Sequence, residues 1–164
     1  MSSTPSPADA AFEITHLVRD TCLCLHAQKA ARALARRFDV ALKPTGITSG
    51  QFSLLMALNR PQPTGLGRVA AVLEMDRTTL TANLKPLERR GLVAIASDPK
   101  DRRVRLLRLT PAGRAVLAKA VPIWRTVHAG IETALPDPDG LRAALNVLSG
   151  AGFQDGTGAA SARR

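Results

Sequence analysis

The sequence predicts a mainly helical chain with one small β-hairpin, an α+β arrangement, and three observations carry that expectation. Between residues 12 and 149 most of the chain repeats apolar side chains at spacings of three and four, the period of a helix with one buried face. Only residues 92–109 depart from it, in two strand-like runs around a polar turn that contains Pro99. Aromatic residues make up 3% of the chain and Tyr is absent, so the core must come from Leu, Ala and Val.

The elements follow in order. Residues 1–11, rich in Ser, Pro and Ala, and residues 150–164 are expected to be disordered tails. One long helix is expected over residues 12–43. Leu17, Thr21, Cys24, Gln28, Ala31, Ala35, Phe38 and Leu42 make one stripe on it, and Leu23, Ala27, Ala30, Leu34 and Ala41 a second beside the first. So wide a face exceeds what one small core covers, which predicts that part of it meets a partner chain. Pro44 and Gly46 stop this helix, and Thr48 or Ser49 caps the next, whose apolar residues are Phe52, Leu55, Met56 and Leu58. Residues 60–65 read as a loop with two prolines.

A short helix with Leu66, Val69, Ala70, Val72 and Leu73 comes next. A three-residue break ending in the N-cap Asp76 leads to a second helix over residues 77–90, closed by Gly91. Strands are expected at 92–96 and 103–109. In the second, Val104, Leu106 and Leu109 alternate with Arg103, Arg105 and Arg108, and Leu107 breaks the pattern. Thr110 and Pro111 then open a long helix toward Leu135, with Pro122 as a kink. Pro136 and Pro138 break it, and a last short helix carries Leu141, Ala144, Leu145 and Leu148.

Charge narrows the function. Lys and Arg total 23 against 13 Asp and Glu, a net +10 with an isoelectric point near 11.2. Such a field favours a polyanion. Residues 77–108 hold nine basic and three acidic residues, so the excess is local. Helix, tight turn, helix and basic hairpin is the order of a winged helix-turn-helix. On a helical wheel Leu80, Leu84 and Leu87 fall together, while Thr78, Ala82, Lys85 and Arg89 lie opposite, with Thr81 on their flank and Arg77 at the start. Small and basic side chains on an exposed face suit the major groove of double-stranded DNA. Lys100, Asp101, Arg102, Arg103 and Arg105 mark the hairpin, a thin basic ribbon suited to the minor groove.

The run Asp101-Arg102-Arg103, then Leu109-Thr110-Pro111-Ala112-Gly113, matches the pattern D-x-R-x5-L-T-x-x-G at every fixed position. Upstream, MDRTTLTANLKPLERRGLV (residues 75–93) looks like a recognition helix entering a wing strand. In these segments the chain resembles the MarR (multiple antibiotic resistance) family of bacterial transcriptional regulators, over roughly residues 12–150. The resemblance implies a winged helix-turn-helix at 48–110, and a homodimer whose base is built from helices in 12–43 and 111–149. It implies a repressor on a palindromic operator, released by a small molecule. It also places Arg103 as the minor-groove arginine and Asp101 as its salt-bridge partner. Pro86 is a departure inside the recognition helix, where it removes a hydrogen bond to the Ala82 carbonyl.

Residues expected to border an effector site are Cys24, His26, Phe52, Trp124 and His128, and the positive charge favours an anionic, aromatic effector. The thiols leave a second reading open, a redox- or metal-responsive switch using Cys22 and Cys24. One branch of the family senses organic hydroperoxides through a cysteine where Cys24 stands. That branch polarises its thiolate with two tyrosines, whose places hold Phe38 and Ser49 here. On a continuous helix Cys22 and Cys24 point about 160° apart, which opposes a bond between them. Cys22 and His26 are four apart, a thin ligand set for a metal, and no metal or cofactor is expected. A winged helix that binds protein or RNA is a third reading, against which the basic wing speaks.

No G-x-S-x-G, H-E-x-x-H, P-loop or Rossmann glycine pattern occurs, so no catalytic residue is assigned and an enzyme is not expected. No apolar run approaches the roughly 20 residues of a membrane span, so no membrane partner is expected. The N-terminus lacks the form of a secretory signal, and two close cysteines do not make a disulfide framework; a cytoplasmic location is expected.

Overall fold

The computed structural model describes residues 7–151, and the parts of the expected tails at 1–6 and 152–164 lie outside them. The order is α1 (Pro7–Thr21), α2 (Leu23–Leu42), a 3-10 turn (Lys43–Thr45), α3 (Ser49–Ala57), β1 (Thr64–Gly65), α4 (Leu66–Val72), α5 (Arg77–Arg89), β2 (Val93–Ser97), β3 (Arg105–Leu109), α6 (Pro111–Thr133), α7 (Pro138–Asn146) and a π-turn (Val147–Ala151). The chain divides into two compact units after Gly50.

In the N-terminal unit the expected single helix is two. Cys22 leaves the helical region (φ −73°, ψ 104°) and becomes the N-cap of α2, its Sγ accepting the Leu25 N–H at 3.5 Å. Main-chain bonds resume at once on either side, Cys22 N–H to Val18 O and His26 N–H to Cys22 O. No Pro or Gly marks this break, so apolar periodicity runs straight across it. The wheel that set Cys22 and Cys24 on opposite faces therefore does not apply. The first helix also starts earlier than expected: Pro7 suits a first turn, where its missing N–H costs nothing, and residues 7–11 are helical rather than tail. The end is as read, with Gly46 in the left-handed region (φ 70°). Ser49 donates its N–H to Asp39 Oδ1 at 2.6 Å, and Leu42 and Ile47 are buried.

The second unit has an aliphatic core. Phe52, Leu54, Leu55 and Leu58 are buried along and after α3, whereas Met56, expected inward, is 42% exposed; Leu54 takes the inward place. Between α4 and α5, Glu74 bends the chain with φ 48°. Leu80, Leu84 and Leu87 bury the inner face of α5 completely. The helix runs on through Pro86, and Gly91 (φ 67°) closes it as expected. Its N–H reaches Glu88 O at 2.8 Å while the Leu92 N–H reaches Leu87 O at 2.9 Å, satisfying carbonyls that a helix end leaves open.

The expected two-stranded hairpin is a three-stranded antiparallel sheet in the order β1-β3-β2. Thr64 pairs with Leu107 on one side, and Ile95 with Leu107 on the other. As the central strand, β3 buries Leu107 and Leu109, so the residue that broke the sequence pattern sets the inward face. Val104, expected inward, is exposed, and with Arg103 it belongs to the turn rather than to the strand.

The L-T-x-x-G run has a packing reason. Thr110 caps α6 by accepting the Gly113 N–H at 3.0 Å, and its hydroxyl donates to Gly91 O at 2.6 Å, tying α6 to the end of α5. At Gly113 a Cβ would stand 2.1 Å from Leu92 O, so only glycine fits this approach. Helix α6 continues through Pro122 to Thr133. Pro138, expected to break a helix, is the first residue of α7, whose N-cap Asp137 accepts the Gly140 N–H.

Candidate nucleic-acid interface

Helix α5 is held so that one face is spent on the core and the other is free. Asp76 fixes its start: Oδ1 accepts the Thr79 N–H at 2.8 Å and Oδ2 the Thr79 hydroxyl at 2.5 Å. The Thr79 hydroxyl, then its N–H, hold the Asp76 carboxyl below the usual carboxylate range. With the three leucines inward, Arg77, Thr78, Thr81, Ala82, Lys85 and Arg89 are all exposed, as the wheel expected. The Thr81 hydroxyl donates to Arg77 O at 2.7 Å, and the residue is exposed.

The wing tip is a turn built by two aspartates. Asp98 Oδ1 accepts the Lys100 N–H at 2.8 Å, and Asp101 Oδ1 the Arg103 N–H at 3.0 Å. The turn closes through Asp98 N–H to Val104 O and Val104 N–H to Asp101 O, each at 2.9 Å. Lys100, Asp101, Arg102, Arg103 and Arg105 are exposed on it. Asp101 thus acts on the main chain of Arg103. The salt bridge that the resemblance implied is not among the ion pairs of the described residues, which join Arg19 to Asp20, His128 to Glu132, and Arg142 to Glu132 and Asp139. Asp98 is a second turn-former; the signal for it was an aspartate directly before Pro99 in the polar run of residues 97–102.

Of the expected effector residues, the structure brings three together. Phe52 and Trp124 stack with ring centres 6.1 Å apart, and His128 lies against Trp124 at 4.6 Å. Beside this stack a cleft of about 570 Å³ is lined by Phe52, Ser53, Met56, Ala57, Arg60, Val72, Leu73, Val121, Trp124 and Arg125. The two arginines were not anticipated, because they come from a loop and from mid-α6. Cys24 and His26 lie on α2, in the other unit; both are exposed, and the Gln28 amide donates to Cys24 Sγ at 3.1 Å.

Comparison with known proteins places this arrangement. Residues 47–104, the span from the approach to α3 into the wing turn, match the model of the MarR family. The DNA-complexed crystal structure of the transcriptional regulator MosR from M. tuberculosis is 38% identical, with a TM-score of 0.74 over 79% of this chain and 95% of that one. The chain belongs to the MarR family. The transcriptional activatory protein BadR of Rhodopseudomonas palustris is 32% identical over 117 residues, 70% of this MarR-family chain, which spans 64% of BadR's length. An organic hydroperoxide resistance transcriptional regulator of Bacillus subtilis is 27% identical over 133 residues, 81% of the one and 90% of the other. The matched span takes in α3, α4, α5 and β2, and these relatives are transcriptional regulators. No helix among the described residues is long and apolar enough to cross a membrane.

Proposed function

We propose that this MarR-family protein is a homodimeric repressor that binds a palindromic operator and is released by a small molecule. The observation that carries the reading is the division of α5: three leucines wholly buried behind a row of exposed threonine, alanine and basic side chains. In this reading α5 enters the major groove, with Thr78, Thr81, Ala82 and Lys85 toward the bases or backbone. The wing lays Arg103 into the flanking minor groove, with Lys100, Arg102 and Arg105 on phosphate. Phe12, Leu17 and Leu23, each more than 60% exposed, together with Leu141, Leu145 and Leu148, then belong to the base between two copies. An operator on the chromosome puts the protein in the cytoplasm. The direct test is Arg103→Ala. Its fold and melting point stay as they are while operator affinity falls, and the salt slope drops by about one. Unchanged affinity in a gel shift removes Arg103 from the interface.

The effector we infer is a small aromatic anion in the cleft of the second unit. Phe52, Met56 and Trp124 supply an apolar wall there, and Arg60 and Arg125 the charge. Quenching of Trp124, the single tryptophan, on titration with benzoates that also release DNA supports it; benzoates that do neither exclude it.

One observation favours a second reading, a thiol-based switch. Cys22 sits outside the helix, both thiols are free, and Cys24 is exposed, so the geometric objection read from a continuous helix is gone. Among the described residues no three His, Cys, Asp or Glu side chains gather as metal ligands, and the metal form of this reading is not proposed. Cys22→Ser/Cys24→Ser protein and wild type, compared on DNA with an organic hydroperoxide added, separate the readings. Equal behaviour supports the ligand-released repressor, and release of the wild type alone supports the switch.

A further inference from the structure

Gly67 is the second residue of α4, and its backbone has no need of glycine: the left-handed glycines among the described residues are Gly46, Gly91 and Gly150. Glycine is also one of the poorest residues inside a helix. What it provides at this position is space. A Cβ on Gly67 would stand 3.1 Å from Arg77 Nη2, 3.7 Å from Cζ and 3.8 Å from Nε. Outside its chain neighbours and the backbone of its own helix, the three atoms nearest to that point all belong to one guanidinium, which therefore lies across the first turn of α4. Arg77 is the first residue of α5, is exposed, and takes part in none of the ion pairs among the described residues. Its carboxylate neighbour in sequence, Asp76, is engaged by Thr79.

We propose that Gly67 is a positioning residue for Arg77: its missing side chain seats the guanidinium on α4, so that the charge is in place for a DNA phosphate beside the bases that α5 faces. The inference rests on the DNA-binding reading above. An arginine loses rotamer freedom when it docks, and a seat present before binding lowers that cost. A methyl at 3.1 Å displaces the guanidinium by a few tenths of an ångström, and a longer side chain sweeps it off the seat. The backbone at Gly67 accepts either.

The test measures equilibrium affinity by fluorescence anisotropy at several salt concentrations. The probes are a duplex selected by the wild type from random sequence and a scrambled duplex of equal length. The proteins are wild type, Gly67→Ala, Gly67→Leu, Arg77→Ala and the double variant Gly67→Leu/Arg77→Ala, each with its melting curve. Gly67→Leu is expected to weaken both duplexes as Arg77→Ala does, with the salt slope lowered by about one in each. Gly67→Ala lies between wild type and Gly67→Leu in affinity and melts no lower than wild type. The double variant binds no more weakly than Arg77→Ala alone, because a seat without its occupant has no effect. Full affinity in both Gly67 variants overturns the proposal. So does full affinity in Arg77→Ala, or a double variant whose loss is the product of the two single losses. Wild type that selects no duplex from random sequence and does not bind the scrambled one fails the DNA-binding reading itself, whereas each of these other failures leaves that reading standing.

Discussion

Thr78 and Lys85 share the exposed face of α5, yet the proposed complex asks different things of them. A short hydroxyl near the start of the helix can face a base edge, and Thr78→Ala is then expected to relax discrimination at one position by ~1–3 kcal/mol. A flexible ammonium about two turns on meets phosphate, so Lys85→Ala weakens every sequence alike. Each variant measured on selected and scrambled duplexes decides this; equal losses on both for Thr78→Ala remove it from base reading. Many individual residues were legible in the sequence because each had a strong local reason: the Asp76 cap, the left-handed Gly91, and Leu80, Leu84 and Leu87 four and three apart. Others depended on what lay across from them. Leu107 seemed to break an alternation because its neighbour Leu106, half-buried on the opposite face of the sheet, reads as an inward residue too. Asp101 was assigned to the Arg103 side chain by resemblance, whereas its carboxylate takes the Arg103 main-chain N–H instead.

At the scale of elements, the helices were found and one of their breaks was not. Residues 12–43 carry an unbroken apolar period, and a single residue leaving the helical region at Cys22 changes no apolar spacing that a wheel detects. One proline misled in the opposite sense: Pro86 and Pro122 lie inside helices that continue, as read, whereas Pro138, expected to break a helix, begins one. The start of α5 offers a pH test. Because the folded-state pKa of Asp76 is lowered, chiefly by the Thr79 hydroxyl, its contribution to stability is complete above the ordinary aspartate value of about 3.9. It is lost as pH falls through the lowered value, where the cap must take up a proton. Asn caps nearly as well and does not titrate. Melting curves of Asp76→Asn and wild type at pH 7 and pH 3 should therefore show wild type losing more of its stability in acid than the variant. An equal acid loss in both proteins separates Asp76 from the acid limb.

For the whole molecule, the uncovered apolar residues of α1, α2 and α7 tie operator binding to assembly. Removing residues 136–164 is expected to cost the dimer, because Leu141, Leu145 and Leu148 go with it, and operator affinity with the dimer. Light scattering that still finds a dimer places the base elsewhere. Two copies of α5 must stand about one helical turn (~34 Å) apart to enter successive major grooves, and a ligand that favours another spacing by a few kcal/mol empties the operator. All of this depends on the chain reading sequence rather than merely attracting DNA with its net +10. The most direct test is the ratio of wild-type affinities for a duplex selected from random sequence and for a scrambled duplex of equal length, at physiological salt. A repressor of this kind gives a ratio on the order of a thousandfold or more. Equal affinities that fall together as salt rises would contradict it, and would leave a basic protein that binds DNA through charge alone.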